Sequence, residues 1–88
     1  MTLDPVSSSH QQEAFHHARN LYKQRLEKEP QNAEIHHLLG ILCYQRGRLE
    51  ESFESLQQAV NLNPNNPLYC NHLGMILLLT GRKQEALQ

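Results

Sequence analysis

Four stretches of the chain carry apolar residues at helical spacing, separated by short polar breaks. Phe15, Ala18, Tyr22 and Leu26 make a narrow stripe on an otherwise polar segment. Ile35, Leu38, Leu39 and Leu42 form a second stripe, and Leu49, Phe53, Leu56, Ala59 and Val60 a third. The recurrence at three and four residues predicts one buried face per helix. The fourth stretch, 67–80, holds Leu73, Met75, Ile76, Leu77, Leu78 and Leu79 and is apolar nearly all round. Such a helix expects partners on both sides.

The breaks carry start and stop signals. Ser9-His-Gln-Gln12 fits a capping box for the first helix, which ends before Pro30. Asn32 and Asn66 stand where N-caps belong, and Pro67 occupies a first helical position, where its missing N–H costs nothing. Gly47 and Gly81 stop the second and fourth helices. The third closes near Asn61-Leu-Asn-Pro64.

This punctuation repeats. Gly40 and Gly74, Gly47 and Gly81, Pro30 and Pro64, Asn32 and Asn66, Leu39 and Leu73, Arg48 and Arg82, and Glu51 and Glu85 are each separated by 34 residues. A fixed period of this length marks a stacked helical-hairpin array. The register divides the chain into a flexible leader over 1–8 and a repeat domain over 9–88. That domain comprises a half repeat (9–30), a full repeat (31–64) and an incomplete one (65–88).

The segment Asn32-Ala-Glu-Ile-His-His-Leu-Leu-Gly40, followed by Gly47-Arg48, Ser52, Leu56, Ala59 and Pro64, resembles a tetratricopeptide (TPR) repeat. His36 and Cys70 stand where that family often has Trp, and Cys43 and Leu77 where it favours Tyr. The resemblance implies an all-α fold of antiparallel helical hairpins in a right-handed solenoid of about two and a half repeats. Gly40 and Gly74 would let the helices of a hairpin approach, with Ser52 and Ala86 facing them.

The resemblance further implies that first helices line a concave, ligand-bearing side. On the full repeat the outward stripe expected there is Glu34, His37, Ile41 and Tyr44, flanking a core stripe of Leu38, Leu39 and Leu42. On the next repeat it is Leu68, Asn71, Met75 and Leu78. This surface suits an apolar peptide or helix, with Met75 as an adaptable contact; packing against a neighbouring copy or a continuing repeat is the alternative. The family's carboxylate clamp and asparagine ladder are unsupported, because His37, Ile41, Leu38 and His72 stand at the corresponding places. Leu73, Ile76, Leu77 and Leu79 are the expected self-association residues, giving a homodimer or a continuation of the array.

Composition narrows the function. With 39% hydrophobic and 19% charged residues and a net charge of -1, the chain lacks the footprint of a nucleic-acid binder. Arg19, Lys23, Arg25 and Lys28 alternate with Glu27 and Glu29 as a solvated face. The longest apolar run, 75–79, is far too short to span a membrane, and no signal peptide is visible, so a cytoplasmic protein is expected. Cys43 and Cys70 read as core residues of a reduced compartment.

Six histidines raise the question of a metal, but adjacent helical residues point about 100° apart, so His16-His17 and His36-His37 cannot chelate as pairs. These histidines are expected at the repeat surface. Cys43 has no base within reach on its helix, and no glycine-rich phosphate loop exists. No cofactor, metal or catalytic residue is therefore expected. The leading expectation is a non-enzymatic protein-interaction or assembly module. The alternative is the N-terminal repeat region of a glycosyltransferase- or sulfotransferase-type enzyme, whose catalytic domain would lie beyond residue 88.

Overall fold

The computed structural model describes the backbone over residues 5–81 and the side chains from residue 11. Its elements are α1 (Pro5–Lys28), α2 (Ala33–Gln45), α3 (Leu49–Leu62) and α4 (Pro67–Leu79). Helix α1 begins at Pro5, so residues 5–8 are helical where the sequence pattern predicts a leader. Proline is tolerated in a first turn. Ser9 lies inside α1, four residues past its start, so the capping box expected there does not open the helix. The second helix expected for the incomplete repeat, with Ala86, falls outside the described residues.

The breaks work as their residues dictate. The Asn32 side chain accepts from the Ile35 N–H at 3.2 Å, and that of Asn66 accepts from Leu68 and Tyr69 at 2.9 and 3.2 Å. Each thereby satisfies donors that a helix start leaves open. At the end of α2 the Gly47 N–H donates to the Tyr44 carbonyl and the Arg48 N–H to the Cys43 carbonyl, with Gly47 at φ 76°. This paired closure needs a left-handed residue, which glycine adopts without Cβ strain. Gly81 takes the same conformation after α4, at φ 77°.

The repeat reappears as paired hydrogen bonds. The His36 Nε2 donates to the Pro30 carbonyl at 2.9 Å, and 34 residues later the Cys70 Sγ donates to the Pro64 carbonyl at 3.6 Å. Each first helix is thus tied to the proline turn before it, by a stronger bond in the first case and a weak thiol one in the second.

Packing centres on α2. Between α2 and α3 the contact is close: a Cβ placed on Gly40 would lie 2.6 Å from the Leu56 Cγ, while the Ser52 hydroxyl donates to the Gly40 carbonyl at 2.7 Å. Gly74 holds the equivalent register position, but nothing described lies within 4 Å of its would-be Cβ. The close approach expected there would involve residues beyond those described. One core cluster, Phe15, Leu39 and Cys43, joins α1 to α2 with Tyr22, Leu26 and Leu42 against it. A second, Leu56, Leu73, Ile76 and Leu77, joins α3 to α4, supported by Tyr44, Leu49, Phe53 and Val60.

Because α2 packs against three helices, its buried face is wider than one stripe. His37, Leu39, Gly40 and Cys43 are buried, while Leu38, expected in the core, is 38% exposed. Similarly Leu73, Ile76 and Leu77, expected at a surface between copies, are buried in the chain's own core. Helix α3 already supplies the partner they need.

Candidate peptide-binding groove

Helices α2 and α4 meet through histidine. The His37 Nε2 and His72 Nδ1 lie 2.7 Å apart, one donating and the other accepting. Their rings are nearly parallel with centroids 4.9 Å apart, and the His37 ring also lies 4.6 Å from that of Tyr69. His37 is only 7% exposed, which corrects its expected place at the groove surface. Burial first, and His72 second, hold its imidazole below the ordinary range, against an upward pull from Glu34. A buried ring without an ionic partner favours its neutral form.

The physical reason is a register offset. His37 and His72 are separated by 35 residues in a 34-residue repeat. One extra residue rotates a side chain by about 100° around its helix, turning the two imidazoles toward each other. That offset was the available sequence signal.

The free faces follow from the same geometry. Glu34, Leu38, Ile41 and Gln45 fall within a narrow arc of α2, and their 34-residue equivalents Leu68, His72, Met75 and Leu79 fall within the matching arc of α4. Each of these eight is exposed or half-buried. Leu68 and Leu79 are 51% and 53% exposed. Of the other expected groove residues, Asn71 is exposed, Leu78 is 67% exposed, and Tyr44 packs against the α3–α4 core. Leu38, Gln45, His72 and Leu79 lie on these free faces and are absent from the expected stripe.

Charge is concentrated elsewhere. Arg19 and Lys23 of α1 meet Glu51 of α3 at 2.6 and 3.5 Å, and the Arg48 guanidinium lies 4.9 Å from the Phe15 ring centre. The hydrogen bond from Arg19 holds the Glu51 carboxyl below its usual range. Beside this group the Cys43 thiol is fully buried, and desolvation first, then Glu51, push its pKa up to about 11. A thiol held protonated is a poor nucleophile. A separate cleft of about 670 Å³ lies between the last turns of α1 and the start of α2, lined by Leu21, Tyr22, Arg25, Lys28 and Ile35 among others. Its mixed charges and open shape give it no convergent chemistry. No described helix is long and apolar enough to cross a membrane.

Residues 8–87 match the family described as the cilia and flagella-associated protein 70 middle TPR-like domain. The chain belongs to this TPR family. The TPR array is also similar to the peroxisomal targeting signal receptor of Saccharomyces cerevisiae, 34% identical over 55 residues, which is 62% of this chain and 9% of the relative. The corresponding receptor of Candida glabrata is 36% identical over 50 residues, or 57% of this chain and 8% of the relative. The chain therefore spans under a tenth of the length of these curated relatives. TPR character accounts for the Gly40–Leu56 approach and for the paired first helices, and it makes protein binding the coarse function.

Proposed function

We propose that the chain is a non-catalytic binding module that takes an apolar protein segment along the groove between α2 and α4. The observation that carries this reading is that Leu38 and Ile41 on one first helix, and Leu68, Met75 and Leu79 on the next with His72 among them, are exposed or half-buried on equivalent faces. An amphipathic helix or extended segment laid there would cover apolar area that the fold leaves to water. The two similar receptors are named for a targeting signal, which supports a peptide or protein partner. Two free thiols, Cys43 and Cys70, support a reducing, cytoplasmic setting.

Peptides selected from a displayed random library test the groove. They are expected to bind the wild type and to lose roughly tenfold to a hundredfold in affinity for Leu38→Asp or Leu79→Asp, each change removing about 1.5 to 3 kcal/mol of apolar burial. Equal binding by both variants, with unchanged helical content, would place the site elsewhere. Tyr44→Ala is the wrong probe, since it would lower affinity by loosening the core.

Self-association is a second reading, favoured by the exposure of Leu78 and Leu79 at the end of α4. In this reading Leu79 would act with Leu78, because Leu73, Ile76 and Leu77 are committed to the chain's own core.

A further inference from the structure

The imidazole pair has a property that the groove reading does not use. An N–H···N bond between two neutral rings requires one protonated and one bare nitrogen, and the 2.7 Å separation of His37 Nε2 and His72 Nδ1 satisfies this. One further proton can be held on an outer nitrogen without disturbing the shared bond. With two, both facing nitrogens carry hydrogens and both rings carry charge. No hydrogen bond then exists, and two cations face each other at contact distance across a part-buried junction.

The surroundings offer little compensation. Glu34, one turn before His37 on the same helix, is the anionic group acting on that ring. Helix α4 contributes His72 and the neutral Tyr69 ring. The charged groups that act on the His37 ring are His72 and Glu34, neither of them from α1 or α3; Arg19, Lys23 and Glu51 gather beside Cys43 instead, six residues along α2.

The mechanical setting completes the device. Helix α4 is fastened to α3 by Leu56, Leu73, Ile76 and Leu77. Toward α2 it is held by the His37–His72 bond and the His37–Tyr69 contact, and by Tyr44 of α2 packed against the α3–α4 core. Losing the His37 contacts while the α3 attachment persists would swing α4 about its α3 contact and change the spacing of the two groove walls.

We propose that His37 and His72 form a proton-operated latch, closed near neutral pH, whose double protonation releases α4 from α2 and alters the groove. As regulation of binding this rests on the groove reading above. As a hinge it stands by itself. The pair is closed with no added proton or with one, so the latch is complete above the ordinary imidazole range of about 6.5 and is lost only as pH falls far enough below it for the second proton to bind.

Hydrogen exchange on the full chain tests the latch without any partner. Between pH 7.5 and 5, after correction for the intrinsic pH dependence, α4 amides are expected to lose about tenfold more protection than those of α2 and α3. Helical circular dichroism should hold. The His37→Gln/His72→Gln variant keeps hydrogen-bonding side chains that do not titrate, and should abolish the difference; His17→Gln should retain it. Uniform loss across the three helices, or the same response in the double variant, would overturn the latch. Should the double variant fail to fold, the ring nitrogens of the labelled wild type decide. Coupled two-step titration supports the latch, and two independent single-site curves refute it. Since no ligand enters these measurements, a failed latch leaves the peptide result standing, and the reverse also holds.

Discussion

Gly40 shows how little space separates a scaffold residue from a clash. A methyl group there would press on a fully buried Leu56 whose side chain has no exposed direction in which to yield. Overpacking of this kind costs about 1 to 3 kcal/mol, more than the gain of up to about 1 kcal/mol from replacing a helical glycine by alanine. Gly40→Ala should therefore lower the urea midpoint, and an unchanged or raised midpoint would mean that the helices part readily. Cys43 makes the complementary case in chemical terms. With its thiol pushed up to about 11 and fully buried, it should resist iodoacetamide at pH 8, while the exposed Cys70 reacts. Mass spectrometry is expected to find one adduct on the native chain and two in denaturant.

At the level of elements, the starts of α2 and α4 and the stop of α2 were legible because each is enforced by a single residue type: Asn32 and Asn66 cap α2 and α4, and Gly47 takes the left-handed turn that closes α2. The start of α1 was not, since the helix runs past Ser9 to Pro5. Asn66→Ala should cost about 1 kcal/mol in chemical denaturation. Which face of α2 is buried was less legible. A single apolar stripe suits a helix with one neighbour, whereas α2 has three, so His37 went inside and Leu38 came out. The attachment of α1 has its own pH signature. Glu51, held low by Arg19, stabilises the α1–α3 contact while ionised. That contribution is present above the ordinary carboxylate range and lost as pH falls through the depressed value. Glu51→Gln should lower the melting temperature at pH 7 by the equivalent of under about 1 kcal/mol, with the difference from wild type vanishing in acid.

Across the whole molecule, two small cores are joined through α2 and its contact with α3, and the same α2 supplies one wall of the proposed groove. A change that loosens the scaffold will therefore also alter binding, and only surface changes separate the two. Leu78 and Leu79 offer that separation. At 67% and 53% exposed, they contribute little burial within one chain, so Leu78→Asp/Leu79→Asp should change stability by no more than about 0.5 kcal/mol per site. Between two copies the same leucines would be buried twice by a two-fold contact, and two like charges per chain would oppose it. Light scattering over a concentration series is thus expected to show mass rising above that of one chain for the wild type, but not for the double variant. A single-chain mass for both would assign the end of α4 to a different protein partner, and equal self-association of both would move the contact away from α4.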